Sequence, residues 1–490
     1  MPMDWVSKPL IHGNNYYVLG FKEEDFVIFN VTFNRIFVKI PCGGGHRSWD
    51  CVMNDKFVKF VYIQKKQVHV VEVPVDVMFV PPILTGIHTK EIYCMKVLPT
   101  PLKTISVLLS GGEDCTLHVS YVNHETSESE INLKNIQILD GHLSSIRCMS
   151  ILELTINENS SKHLVFSGGG RAQLKIWEVA VKTNKDGFSK EDVSCKDLLS
   201  HMLHGPDKER NKIRIGKELM YNADPETRLM DISSMKNPED GDSILVFVAC
   251  SDGYLRAFRY DINLNELKLI HEFSYKNRCI LKVHSFVYET KVFIITLATD
   301  GQLNFWIFEM SNNTVQIQQI ATNERDSVKL HESGINSFDM KCLNSSVYLL
   351  STGGDDNCLN LLTFTIKLKE NVPSVQIVSS WHTASTHYAQ ITGIKMLDDG
   401  KLYSVGADQK LVVHKYSCDK SKVQVEFLEE HTLSIPDIQG ITFCESQKYV
   451  LHLHLTITMK THILIAAIYC FRSITNLFCI FGKGFQLLKN

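Results

Sequence analysis

Residues 108–122 read LLSGGEDCTLHVSYV. An apolar run closes on Ser-Gly-Gly, Asp114 supplies a turn, and an alternating strand follows, the pattern of two antiparallel strands joined tightly. One such unit is only a hairpin. The same order returns in VFSGGGRAQLKIWEV (165–179), VACSDGYLRAFRY (248–260), TLATDGQLNFWIF (296–308), LSTGGDDNCLNLLTF (350–364) and YSVGADQKLVVHKY (403–416). The turn positions Asp114, Arg171, Asp252, Asp300, Asp356 and Asp408 are about 50 to 80 residues apart, so the hairpin is one element of a repeat.

A second element precedes several turns: GIHTKEIYCMKVLP before Asp114, LDGHLSSIRCMSIL before Arg171, LHESGINSFDMKCL before Asp356 and TASTHYAQITGIKML before Asp408. Each is a histidine, a few small or polar residues, then a strand. Four-stranded units of this length are those of WD40 β-propeller blades, where a histidine at this place ties the turn aspartate to a Ser or Thr. His88, His142, His331 and His387 are therefore expected to be structural, together with Asp114, Asp252, Asp300, Asp356, Asp408 and Trp177. One histidine per blade does not converge as metal ligands must, so no metal site is expected.

Two weaker copies come first, YYVLGFKEEDFVIFNV (16–31) with a turn at Glu24 and Asp25, and KFVYIQKKQVHVVEV (59–73) with a turn near Lys65. The count is about seven to eight blade-like repeats in an all-β chain, as a seven-bladed ring plus a partial unit or as parts of two rings. The expected division is 1–82 for a partial and a divergent blade, and 83–440 for the propeller. Within the propeller, the charged stretch near 185–235, including SKEDVSCKDLLSHMLHGPDKERNKIR, suits an exposed insertion. Residues 441–490 read as a divergent hydrophobic tail replacing the last blade's strands and leaving the ring open. The run HILIAAIYCFRSITNLFCIFG is about long enough to span a membrane, but Arg472, Ser473, Thr475 and Asn476 near its middle argue against that.

Composition sets the class. The chain has 490 residues, 44% hydrophobic and 21% charged, enough apolar side chains for a large core. A formal charge of -3 gives no global field favouring nucleic acid, so any such contact needs a local patch. The 14 cysteines contain no CxxC pair and sit mostly in apolar runs, as buried thiols of a reducing compartment do. MPMDWVSKPLIHGNN lacks the basic and apolar regions of a signal peptide, and the expected location is cytoplasmic.

PCGGGHRSWDC (41–51), ADPETRLMDIS (223–233), ACSDGYLRAF and HYAQITGIKML with LYSVGADQKLVVHKY and HTLSIPDI together resemble the WD repeat-containing protein 6 family, over roughly residues 15 to 440. Members of that family are longer proteins with several propellers, so the chain looks like a C-terminal portion. The resemblance implies a non-catalytic scaffold. Its partner would be a Rossmann-fold methyltransferase that 2'-O-methylates the wobble ribose of the tRNA anticodon stem-loop. S-adenosylmethionine would belong to that partner, leaving this chain without a cofactor. A general WD40 protein-interaction adaptor would carry the same repeats.

Three stretches offer contact residues. GGGHRS lacks P-loop spacing and is followed by a strand rather than a helix, so a phosphate cradle is not expected there. A strand-to-strand bend with Trp49 packed inside is one reading. Exposure of His46, Arg47 and Trp49 to RNA or a partner, through a guanidinium and a stacking ring, is the other. In ADPETR, Asp224, Glu226 and Arg228 read as a local ion-pair network or an interface, without the nucleophile or histidine a catalytic site needs. Lys208, Arg210, Lys212, Arg214 and Lys217 make the densest basic stretch, a solvated loop or a place for tRNA phosphates.

Overall fold

In the computed structural model the described residues are 3–13, 15–31, 35–54, 57–74, 88–101, 105–123, 133–182, 192–203, 212–215, 218–221, 227–276, 278–311, 314–322, 327–369, 372–384, 386–419, 422–433, 437–445, 467–472 and 476–482. The protein divides into two compact units, residues 1–85 and 86–490.

The first unit has a four-stranded antiparallel sheet, Trp5–His12, Asn15–Lys22, Asp25–Asn30 and Arg35–Pro41, and a three-stranded one, Trp49–Met53, Phe57–Gln64 and Gln67–Pro74. Their shared core includes Leu19, Phe21, Phe26, Ile28, Val58 and Phe60, with the Phe26 and Phe60 rings stacked at 3.9 Å.

The second unit is a ring of seven sheets among the described residues. We number them blades 1 to 7: residues 92–139, 146–202, 229–274, 280–329, 335–383, 391–432 and 438–482. Blades 1 to 6 each contain four antiparallel strands in chain order from the inside outward, and blade 4 adds the short strand Val328–Lys329. The innermost strands are Ile92–Leu98, Ile146–Asn157, Leu229–Lys236, Ile280–Tyr288, Ile335–Cys342, Ile391–Met396 and Ile438–Glu445. Every one begins with a buried Ile or Leu and slips register at its second residue. That bulge bends the strand at the same point in each blade.

Why the sequence builds blades follows from burial on two faces. In the second strand of blade 2, Leu164 and Phe166 face blade 3 while Val165 faces blade 2's other neighbour, blade 1. In blade 3, Ile244, Val246 and Val248 face backward and Leu245, Phe247 and Ala249 forward. A strand covered on both sides reads as a continuous apolar run, as in SILVFVAC, and the alternation expected from sequence is confined to less covered strands.

The Ser-Gly-Gly signal has a steric cause. A Cβ on Gly111 would lie 2.6 Å from Ile146 Cγ2 of blade 2, and one on Gly353 would lie 2.5 Å from Ile391 Cγ2 of blade 6. The next glycine clears the blade's own histidine: a Cβ on Gly112 would be 2.5 Å from His88 Nδ1, and on Gly354 2.6 Å from His331 Nδ1. The first glycine admits the neighbouring blade and the second admits the latch. One residue past the turn Asp the backbone is left-handed, at Cys115, Asn357 and Gln409 with φ of 63–64° and at Gly253 and Gly301 in the other two blades.

Two expectations need correction. The charged segment after residue 185 is not all insertion: Val193–Met202 is the outermost strand of blade 2, where one free edge and a solvent face accommodate charge. Nor does the ring stand open. Ala467–Arg472 and Asn476–Gly482 pair beside Ile438–Glu445 in the order 438–445, 476–482, 467–472. Ile438–Glu445 also lies against both blade 6 and the first strand of blade 1. Among the described residues no helix is long and apolar enough to cross a membrane.

Gly353→Ala forces its methyl into Ile391, so unfolding should be easier by about 1–3 kcal/mol. Gly353→Ala combined with Ile391→Ala should cost less than the sum of the two single changes. Additive losses in thermal or urea unfolding would show that the clearance does not matter.

Candidate functional site

The histidine and aspartate positions come together within blades 1, 5 and 6. His88 Nδ1 is 2.8 Å from Asp114 Oδ1 and its Nε2 is 3.0 Å from Ser110 Oγ. His331 bridges Asp356 at 2.8 Å and Thr352 Oγ1 at 2.9 Å, and His387 bridges Asp408 at 3.0 Å and Ser404 Oγ at 2.9 Å. The second carboxylate oxygen accepts the N–H after the histidine: Thr89, Glu332 and Tyr388 at 2.8–2.9 Å. Burial pushes Asp114 and Asp356 up, but the bonds from His88 and His331 and from these amides win, and both carboxyls end below the usual range.

The other blades solve the same problem differently. Blade 2 has Arg171 at the turn, and the Gln173 carboxamide accepts the Leu143 N–H at 2.7 Å and donates to Gly141 O at 3.0 Å. His142 Nε2 lies 2.8 Å from Ser167 Oγ, which also accepts from Trp177 Nε1 at 2.8 Å. Asp252 is gripped by Arg256 at 2.7 and 3.1 Å, and Arg256 Nε donates to Glu272 at 2.6 Å. In blade 4 Tyr275 OH donates to Asp300 at 3.0 Å, and Trp306 Nε1 donates to Thr296 at 2.8 Å. His118 brings a ring nitrogen within 4.8 Å of the His88 and Asp114 ligand atoms. Both His88 nitrogens are already bonded in the pattern of blades 5 and 6, so a structural latch accounts for the cluster.

PCGGGHRSWDC forms a bend. Gly43 and Gly44 have φ of 79° and 93°, and the N–H groups of Cys42, Gly43 and Gly44 all point at Glu24 O, 2.9–3.1 Å away. Those amides are satisfied and do not cradle an anion. Arg47 donates to the carbonyls of Cys42 and Gly43. His46 is exposed, with its ring 5.7 Å from Trp5. Half-buried Trp49 packs against Phe21 and Phe26 at 5.3 Å and Phe60 at 6.0 Å. Arg228 is exposed at the entry to blade 3. Lys208, Arg210, Lys217, Asp224 and Glu226 lie outside the described residues. So do the side chains of Lys212 and Arg214, whose backbone belongs to the hairpin Lys212–Ile215 and Glu218–Tyr221.

The feature that motif reading missed is the channel inside the ring, about 1320 Å³ and lined by the innermost strands of all seven blades. Counting from the leading Ile or Leu, the fifth residues of those strands are Lys96, Ser150, Ser233, His284, Asp339, Lys395 and Thr442, all lining it. Third-position Asp231 and Lys282 line it too, as do Tyr93 and Arg147, whose guanidinium carbon is 4.7 Å from the Tyr93 ring centroid. Several of these side chains fasten blade to blade. Asp231 accepts the Val283 N–H at 3.0 Å, Asp339 the Met396 N–H at 2.8 Å, Ser150 the Ser234 N–H at 3.1 Å and Ser233 the Ser285 N–H at 2.9 Å. The sequence marks the channel only faintly: the fifth residue of IYCMKVL, ILKVHSF and ITGIKML is polar, but Lys282, Ser285 and Thr392 are polar there too.

Lys96 reaches channel solvent but protein encloses it. Enclosure lowers its pKa, Asp231 opposes, and Lys395 and Lys282 reinforce the fall. Burial likewise lowers His284, with Asp231, Lys96, Asp339 and Lys395 all acting on it, so these groups share one electrostatic neighbourhood.

Buried imidazoles make the ring acid-sensitive. Burial first, then the neighbouring Lys175, holds His142 down at about 3; burial and a second histidine hold His118 and His414 at about 4. An unfolded imidazole titrates near ~6.5, so the unfolded state binds more protons below that value. Stability should be full above pH ~6.5 and should fall as pH drops from there towards about 4. A melting temperature constant from pH 7.5 to 4.5 would contradict this, and His414→Gln should flatten the slope. Removing a latch, as in His331→Ala, should cost about 1–3 kcal/mol by taking the imidazole from between Asp356 and Thr352, read from denaturant midpoints.

No family model matches the chain. Curated relatives do. The chain is 25% identical over 497 residues to the Mus musculus protein named tRNA (34-2'-O)-methyltransferase regulator WDR6, covering 89% of this chain and 43% of that protein. The Homo sapiens protein of that name is 24% identical over 489 residues, with the same coverage. The Drosophila melanogaster one is 23% identical over 464 residues, covering 91% of this chain and 41% of its own length. The chain thus spans about two fifths of the length of these relatives. Among solved structures, U3-55K gives a TM-score of 0.43 at 12% identity, covering 80% of this chain and 96% of that one. Sqt1 from Chaetomium thermophilum gives 0.44 at 13%, covering 73% and 76%. The resemblance carried by PCGGGHRSWDC, ADPETRLMDIS and the blade 6 segments is therefore a relationship of sequence along 89% of the chain, to proteins bearing the WDR6 name.

Proposed function

We propose that this chain is a non-catalytic WD-repeat scaffold for a tRNA 2'-O-ribose methyltransferase acting at the wobble position. On this reading the ring and the unit before it hold a Rossmann-fold methyltransferase and the tRNA anticodon stem-loop in register, in the cytoplasm, and S-adenosylmethionine sits in the partner. The observation that carries the reading is the 25% identity across 89% of the chain to proteins named as regulators of that methylation. Physical chemistry agrees with a platform: the latch histidines and turn aspartates of blades 1, 5 and 6 are committed to holding turns, and rigid propellers present binding surfaces on their loops.

On this reading tRNA phosphates are met by Lys208, Arg210, Lys212, Arg214 and exposed Arg228, with His46, Arg47 and Trp49 as a second patch. Affinity capture of the chain followed by tRNA sequencing and mass spectrometry should enrich a small methyltransferase and its tRNA substrates. Capture of other proteins without either would favour a general adaptor and sink this reading. Changing Lys208, Arg210, Lys212 and Arg214 to Ala should weaken tRNA binding and make the salt dependence shallower by about 0.7–0.9 for each phosphate no longer neutralised. An unchanged salt slope would remove that stretch from the interface.

A further inference from the structure

The ring brings three lysines into one channel, and they are unequally paired. Lys395 Nζ is 3.0 Å from Asp339 Oδ1. Lys96 and Lys282 have no ion pair or hydrogen bond of that kind among the described residues; Lys96 feels the Asp231 carboxylate on one side and the Lys282 and Lys395 ammonium groups on the other. One oxygen of Asp231 is already bonded to the Val283 N–H. On the innermost strand of blade 2, Arg147 near the start and Glu153 farther along add one charge of each sign to the lining. The charged lining therefore sums to four cations, Lys96, Lys282, Lys395 and Arg147, against three carboxylates, Asp231, Asp339 and Glu153. The chain as a whole is at -3, so the channel carries the sign opposite to the molecule.

We propose that the channel is a binding site for a phosphate-class anion, held by the ammonium groups of Lys96 and Lys282. Enclosed like charges repel one another unless something of opposite sign sits between them, and an oxyanion does so while accepting hydrogen bonds from both. At about 1320 Å³ the channel has room for a phosphate ester as well as a free oxyanion. The lysines are on strands from two blades, so the site exists only in the assembled ring.

The test uses the full chain. Pyrophosphate and adenosine 5'-monophosphate are titrated separately by calorimetry at constant ionic strength. Saturable binding of either supports the proposal, and the tighter one tells a free oxyanion from a phosphoester. Lys96→Met and Lys282→Met should each weaken it at least about tenfold. Lys268→Met, on the outermost strand of blade 3, should leave it unchanged. Asp231→Asn keeps an acceptor for the Val283 N–H and removes the competing charge, so binding should tighten several-fold even if a lysine variant fails to fold. No saturable binding, or binding indifferent to Lys96, Lys282 and Asp231, overturns the proposal.

Discussion

Blades 1 and 5 depend on how close the next blade's leading Ile can come where their second strands end. At Gly111 and Gly353 the absent side chain is occupied space: the Ile that opens the next blade stands there. At Gly112, Gly354 and Gly406 the blade's own histidine ring fills the gap instead. In blades 1 and 5 a methyl group at the first position meets the next blade's Ile and at the second the latch, whereas blades 3, 4 and 6 carry Ala249, Leu297 and Val405 at the first position. The remaining architecture, apolar on both faces of each sheet, follows once that approach is allowed.

This constraint explains why the fold is legible in sequence and the channel is not. In blades 1 and 5 clearance demands glycine, and the latch demands His, Asp and Ser or Thr at fixed steps, so LLSGGEDCTLHVSYV announces its blade. Channel-lining positions obey no such demand. Lys96, Ser150, Ser233, His284, Asp339, Lys395 and Thr442 share a place in the fold but range over five residue types, so no single type marks them. An outermost strand is obscured for a related reason. Val193–Met202 has one uncovered edge, tolerates charge, and resembles a loop until its pairing with Gln173–Lys182 is seen.

Blades 2, 3 and 4 show that the turn must be held but not by one set of atoms. A carboxamide, a guanidinium and a phenol each take over a task done elsewhere by imidazole and carboxylate. Only two of these blades have the turn aspartate, Asp252 and Asp300, and neither has the histidine. In PCGGGHRSWDC the economy is similar: one carbonyl, Glu24 O, satisfies three amides, and Arg47 turns back on the same loop. That closed circuit of donors is what makes the glycine run a bend rather than a cradle.

The bulge shared by the seven innermost strands gives the channel near-equivalent geometry around its axis, while the residues it presents follow no rotational repeat. A visitor entering such a tube meets seven matching berths with unlike furniture. Rotational degeneracy, which would let a guest settle in any of seven orientations, is thereby lifted, and whatever occupies the axis has a single azimuth.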